Sequence, residues 1–220
     1  SESTFRDRHD PDYELIETLR WERPSGFVRG ELHLARMKQS AKVLGFDWKG
    51  NAAEIALDRA VSDSQADMLR IRLTLNRQGI ANCSASPFTP LPHDKIWRLG
   101  IATTTIGSSN SMLRHKTTQR AVYEAARAEF PPETADEVLL LNERDELCEG
   151  TITSLFLDMG DGGPLLTPAL ECGLLAGIFR GASIAEGRAR EAVLMPSDLS
   201  AARFVHVGNS LRGLIPARTI

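Results

Sequence analysis

No stretch of this chain approaches the roughly 20 apolar residues that a membrane-spanning helix needs, and the segment Ser1-Glu-Ser-Thr-Phe-Arg-Asp-Arg8 lacks a hydrophobic signal region. Cysteine is scarce: Cys83, Cys148 and Cys172 stand apart with no Cys-x-x-Cys spacing, which argues against a disulfide framework or a zinc site and for reduced thiols. Excess charge of one sign is also missing. With 26 Lys and Arg against 29 Asp and Glu, nothing electrostatic points to nucleic acid or an anionic membrane as partner. No internal repeat is present. These absences leave a cytoplasmic metabolic protein acting on a small molecule as the expectation. At 220 residues the chain can hold one large or two small domains with a substantial core.

What is present alternates between strand and helix patterns. Residues 1–12, rich in charge and containing Pro11, read as a mobile tail. Tyr13 to Trp21 alternates as a strand, Pro24-Ser-Gly26 is a turn, and Glu31 to Leu44 places Leu34, Met37, Ala41 and Leu44 on one helical stripe. A second helix is expected over Ala52 to Val61. Leu69, Ile71, Leu73 and Leu75 then alternate with Arg70, Arg72, Thr74 and Asn76, and Asn76-Arg-Gln-Gly79 turns into a second extended run, a half-buried hairpin. The Pro-rich stretch Pro87 to Pro92 reads as the link between a small α+β lobe over residues 13–92 and a larger lobe over residues 93–220.

In the larger lobe three segments carry candidate chemistry. Lys116 lies in Leu113-Arg-His-Lys-Thr-Thr-Gln-Arg120, before a helix expected over Thr117 to Phe130. A helix N-terminus there would disfavour an added cation and lower the amine pKa. Glu149 lies in an apolar strand running from Leu147 to Leu157, where a carboxylate is costly unless paired. A local ion pair with Arg144 is one way to meet that cost. In Leu174-Leu-Ala-Gly-Ile-Phe-Arg180, Gly177 allows a tight turn and the N–H groups of Ile178 and Phe179 open a helix toward an anion.

Taken in this order, with Asn142-Glu-Arg and Val207-Gly-Asn-Ser-Leu-Arg-Gly213, the segments resemble the fold-type IV pyridoxal-phosphate enzymes: branched-chain aminotransferase, D-amino acid aminotransferase and 4-amino-4-deoxychorismate lyase. The wording His115-Lys-Thr-Thr with Arg120 and Tyr123 most resembles the lyase. The likeness runs from about Tyr13 to Pro216. It implies an α+β, two-lobe fold, pyridoxal 5'-phosphate as cofactor and a homodimer. It assigns Lys116 as the covalent anchor and base, and Glu149 as partner of the ring nitrogen. Arg36, Gly177, Ile178, Phe179, Asn209 and Ser210 would surround the phosphate. Without the resemblance, Arg36 would read as a surface-helix arginine. Arg212 would sense a substrate carboxylate or form a structural salt bridge, and Thr18 would relay a proton or simply pair strands. The chain departs from the family in having Ala176 where Pro is usual and Phe179 where Thr is frequent, which removes a hydroxyl from the cradle. It also has only an unmatched tail where relatives begin with a strand and hairpin.

By resemblance the reaction is conversion of 4-amino-4-deoxychorismate to 4-aminobenzoate and pyruvate, a step of folate precursor synthesis. It carries a possible functional link to an aminodeoxychorismate synthase. The same Lys and carboxylate would serve an amino-acid transaminase of the branched-chain or D-amino acid type. A third reading is a pyridoxal-phosphate-binding protein without turnover.

Overall fold

The computed structural model describes residues 12–220, so the tail expected over residues 1–12 lies, but for its last residue, outside the described residues. Two sheets organise the chain. The first is antiparallel, in the order β2 (Gly26–Phe27), β1 (Leu15–Glu22), β3 (Met68–Leu75), β4 (Ala81–Pro87). β1 and β3 run in register from Leu15 opposite Leu75 to Glu22 opposite Met68. The period-two pattern buries Leu69, Ile71, Leu73 and Leu75 and leaves Arg70 and Arg72 exposed. Helices α1 (Gly30–Leu44) and α2 (Ala52–Ser62) cover the apolar face, joining Leu19, Met37, Ala41, Leu57, Ile71 and Leu73 in one core.

α1 stops where Gly45 adopts φ 72° and returns its N–H to Ala41 O, a left-handed cap that glycine adopts without a side-chain clash. Its inward face keeps the expected stripe, with Leu34 and Leu44 packed against the core that holds Met37 and Ala41, and adds two polar residues to it. Leu34 and Leu44 are half-buried, whereas His33, Met37, Ser40 and Ala41 are buried. Turning two polar side chains inward is tolerable because both reach hydrogen-bond partners in the second lobe, described below.

The second sheet has the order β10 (Ala189–Ala192), β9 (Leu165–Pro168), β8 (Ser154–Asp158), β11 (Phe204–Asn209), β12 (Gly213–Thr219), β5 (Trp97–Ile106), β6 (Glu137–Asn142), β7 (Leu147–Gly150). It mixes parallel pairs, such as β5 with β6 and β5 with β12, with antiparallel ones. β6 is buried throughout and feeds two cores: Leu139 and Leu141 face one side with Trp97, Leu99 and Leu155, and Val138 and Leu140 face the other with Ile106, Leu113 and Ala126. Helices α3 (Ala121–Ala128), α4 (Ile178–Ala185) and α5 (Pro196–Ala201) complete the lobe. Among the described residues no helix is long and apolar enough to cross a membrane, and Cys83, Cys148 and Cys172 are free thiols.

Two differences from the expected element boundaries shape the cleft. α3 begins at Ala121, not Thr117, because the backbone there is engaged elsewhere: Ile16 N donates to Lys116 O at 3.0 Å, Thr118 N donates to Glu14 O at 2.9 Å, and Leu15 bridges Thr117. Lys116 therefore sits in an extended segment held against β1, not at a helix N-terminus. The apolar run Leu147 to Leu157 is two strands, β7 and β8, broken at Thr151-Ile152-Thr153. The break is caused by a buried carboxylate distant in sequence. Glu137 Oε1 accepts from Thr151 N at 3.1 Å and Thr151 Oγ1 at 2.6 Å, and Oε2 accepts from Ile152 N at 3.0 Å and Thr153 Oγ1 at 2.8 Å. These bonds draw the segment out of the ladder and satisfy its donors.

Candidate active site

A cleft of about 740 Å³ opens between the two sheets. It brings together every residue singled out from the sequence: Thr18, Arg36, Lys116, Glu149, Gly177, Ile178, Phe179, Asn209, Ser210 and Arg212 all line it.

The segment pinned to β1 delivers Lys116. Desolvation, reinforced by repulsion from Arg36 and Arg120, pushes its amine down to about 8. The helix-dipole cause expected from sequence is replaced by burial and two guanidinium groups. At pH 7 such an amine is neutral in roughly a tenth of molecules, against about three in ten thousand for an unperturbed lysine. Among the described residues no hydrogen bond holds that amine. His115, the preceding residue, fixes the segment from the other side through Nδ1 and Ser40 Oγ at 2.8 Å.

Glu149 lies in β7, one residue before its end, buried in the cleft floor at 6% exposure. Burial pushes its carboxyl up to about 7, against the pull of hydrogen bonds from Tyr123 and Leu175 and of the charges on Lys116 and Arg120. Both protein donors end on one oxygen: Tyr123 Oη at 2.8 Å and Leu175 N at 3.2 Å each donate to Oε1. Oε2 has no hydrogen-bond partner among the described residues. The alternative pairing with Arg144 does not occur, since that side chain bridges Glu143 and Glu146. Tyr123, whose hydroxyl proton is held more firmly by burial and by Glu149, lies under Arg120, with the guanidinium 4.6 Å from the ring centre. Arg120 in turn donates to Thr151 O, tying the floor to the segment that Glu137 organises.

On the opposite wall α4 starts at Ile178 with Gly177 as cap. Gly177 is needed for space rather than for a special turn: its φ is −58°, but a Cβ there would lie 2.7 Å from Ser154 Oγ. The N–H groups of Ile178 and Phe179, in the first turn of α4, have no intrahelical acceptor, and both residues line the cleft. The Phe179 ring packs edge-on to Phe156, with centroids 5.7 Å apart. Arg36 enters from α1. Its Nη2 and Nε clasp both oxygens of Glu17 at 2.6 and 2.8 Å, and Nη1 donates to Ala176 O at 3.0 Å. Glu17 also meets His33 Nδ1 at 2.6 Å, and His33 Nε2 lies 2.8 Å from Ser210 Oγ. Asn209 Nδ2 donates to Ile152 O at 3.2 Å and its Oδ1 accepts from Arg212 N at 2.9 Å, closing the turn between β11 and β12. Thr18 lines the cleft and pairs with Arg72 across β1 and β3, and its hydroxyl is not hydrogen-bonded among the described residues.

These residues fit pyridoxal phosphate. An unengaged amine of lowered pKa, a buried carboxylate with one open oxygen, and a helix start with unpaired N–H groups beside an arginine share one cleft. They would hold its aldehyde carbon, ring nitrogen and phosphate respectively. Sequence reading did not assign His33, Tyr123, Arg120 or Glu137. The first three stood within segments already quoted, but their partners, Glu17, Glu149 and Thr151, are distant in sequence or on another element.

The model of the family described as amino-transferase class IV matches residues 14–220. A Schizosaccharomyces pombe protein named "Putative aminodeoxychorismate lyase" is 32% identical over 189 residues, 82% of this chain and 79% of its own length. The crystal structure of a Mesorhizobium loti protein named "Putative amino-acid aminotransferase" is 49% identical, with TM-score 0.92 over 95% of this chain and 100% of that one. The branched-chain amino acid aminotransferase of Escherichia coli, at 18% identity, shares the fold with TM-score 0.81 over 96% of this chain and 80% of that one. The chain belongs to the class IV aminotransferase family and is a pyridoxal-phosphate-dependent enzyme.

Proposed function

We propose that the enzyme converts 4-amino-4-deoxychorismate to 4-aminobenzoate and pyruvate. The observation that carries this reading is a pair of arginines in the cleft, Arg70 and Arg212, that make no salt bridge among the described residues. Arg212, on the turn after β11, is half-buried beside Trp97 and Phe88, at 5.8 and 6.0 Å from their ring centres. Desolvation, then repulsion from Arg70, lowers its pKa. Neither Arg70 nor Arg212 forms a salt bridge among the described residues; Glu137 attracts Arg212 without contact, and its carboxylate oxygens are taken by donors of Thr151, Ile152 and Thr153. Arg212 is partly desolvated and is repelled by Arg70, which is exposed on β3, a cost that an anion bound beside both would relieve. The proposed substrate carries two carboxylates, and this pair, with Arg120, supplies the charge to bind both. The name of the Schizosaccharomyces pombe relative supports the same reading.

Bound in the cleft, pyridoxal phosphate supplies an electron sink for charge developing on the substrate carbon that bears nitrogen. Glu149, whose Oε2 is left open by the protein's own donors, would keep the ring nitrogen of the bound cofactor protonated. Lys116 Nζ takes the proton from the nitrogen-bearing ring carbon. The C–O bond to the enolpyruvyl group breaks, and Lys116 returns the proton to the departing methylene carbon, giving pyruvate. Aromatisation of the ring drives the step. Under the same reading the working form is a homodimer, checked by sedimentation.

A second reading, amino-acid transamination, is favoured by the name of the Mesorhizobium loti relative and uses the same Lys116 and Glu149. The test is to supply enzymatically generated aminodeoxychorismate and, separately, amino acids with 2-oxo acids. Release of 4-aminobenzoate and pyruvate in equal amounts supports the lyase. Keto-acid exchange without 4-aminobenzoate overturns it in favour of the transaminase.

A further inference from the structure

Ser210 was expected to offer its hydroxyl to the cofactor phosphate, yet in this structure that hydroxyl is engaged from behind. His33 Nε2 is 2.8 Å from Ser210 Oγ, and Arg29 Nη1 approaches the same oxygen at 3.4 Å. The state of His33 therefore decides what Ser210 can do. His33 Nδ1 lies 2.6 Å from Glu17 Oε2, and Glu17 is held ionised by Arg36 and His33 although burial opposes it. A carboxylate has no proton to give, so the Nδ1 position carries hydrogen. Burial, with repulsion from Arg36 and Lys116, disfavours a second proton on the ring; Glu17 pulls the other way. Nε2 is then a lone pair, and the Ser210 hydroxyl must donate to it. Arg29 donates to one of the remaining lone pairs. What Ser210 turns toward the cleft is an acceptor, the wrong polarity for a phosphate dianion.

One proton reverses the arrangement. With hydrogen on Nε2, His33 donates to Ser210 Oγ, and the hydroxyl hydrogen swings into the cleft, toward the anion site formed by the N–H groups of Ile178 and Phe179. The groups facing the imidazole are Glu17 from β1, Arg36 from its own helix and Lys116 from the β1-bound segment; Arg29 reaches it through Ser210. A phosphate dianion arriving beside them adds negative charge and favours the imidazolium. We infer that His33 is a positioning residue for the cofactor phosphate: seating the phosphate draws one proton onto His33 and converts Ser210 from acceptor to donor. The inference rests on the cofactor assignment and is independent of lyase or transaminase chemistry.

The experiment uses pyridoxine 5'-phosphate, which has no aldehyde and so leaves Lys116 chemistry aside. Binding to the apoprotein is measured by titration calorimetry in buffers of differing ionisation enthalpy, for the wild type and for His33→Gln. The glutamine amide can donate to Ser210 permanently but cannot take up a proton. The wild type is expected to take up close to one proton more per site than the variant. Its affinity should fall about tenfold per pH unit relative to the variant once the free imidazole is neutral. Equal proton uptake in the two proteins overturns the inference. Should the variant not fold, nitrogen NMR of the His33 ring in the wild type reads the same point. Two protonated ring nitrogens in the loaded protein support the proposal, and an unprotonated Nε2 in both states overturns it.

Discussion

Replacing Glu149 by Gln should make the apoprotein more stable while removing its activity. Glu149 is buried, its carboxyl pushed from an ordinary 4.5 up to about 7, mainly by desolvation. An acid whose folded pKa lies above its unfolded one keeps its proton longer in the folded state. Ionising it therefore costs stability as pH rises through that interval. The gap between 4.5 and about 7 corresponds to on the order of 3 kcal/mol at pH 8, at about 1.4 kcal/mol per unit. At pH 5 the same linkage leaves less than about 1 kcal/mol. Glutamine is nearly isosteric, and because both protein donors end on Oε1, its carbonyl can keep both bonds. The apo variant should thus melt above the wild type by roughly 6 to 12 °C at pH 8, with the gap nearly closed at pH 5. Thermal unfolding of the stripped proteins at the two pH values reads this directly. A variant no more stable at pH 8, or a gap independent of pH, would refute the reasoning. In the loaded enzyme the variant should lose orders of magnitude in turnover, since an amide does not hold the ring nitrogen protonated.

Lys116→Ala should fold and lose both the absorbance of covalently held cofactor and turnover; full activity would remove the assigned role. Tyr123→Phe deletes one of the two bonds to Glu149 Oε1, a charge-assisted bond worth about 1.5–3 kcal/mol. The acid limb of cofactor affinity should move up by roughly one to two pH units, and an unmoved limb would show that Tyr123 does not hold the carboxylate. Glu137→Gln presents an amide to donors that now share two acceptor oxygens. Whichever way the amide turns, a backbone N–H meets an NH2 group, at a cost of about 1–3 kcal/mol. The melting temperature should drop and proteolysis near Thr151 should speed up; unchanged values for both would sink the account of the strand break.

The residues proposed to hold the cofactor were legible as candidates because their chemistry leaves marks in short segments: a lysine before two threonines, a carboxylate on an apolar strand, a glycine opening a helix. Strand and hairpin boundaries in the first sheet were equally readable, since Leu69 to Leu75 alternates and one face is buried. What could not be read depends on pairs far apart in sequence. The Leu147 to Leu157 run looks continuous because its interruption is imposed by Glu137. The Thr117 start of α3 looked sound because the competing partner, β1, lies about 100 residues earlier. His33 and Ser40 join the apolar stripe of α1 on its inward face for contacts with Ser210 and His115 that no local pattern encodes.

The backbone stitch between β1 and Lys116 also bears on the order of assembly. The lysine is positioned by hydrogen bonds from Ile16 N and Thr118 N, so its place exists only after a loop of about a hundred residues has closed. Such contacts carry a high entropic cost and tend to form late in folding. On the proposed assignment neither lobe alone holds a complete cofactor site, and a nascent chain would have nothing to load until both have docked. Cofactor capture then acts as a latch on the finished fold, and its binding energy opposes separation of the two sheets rather than the unravelling of either one.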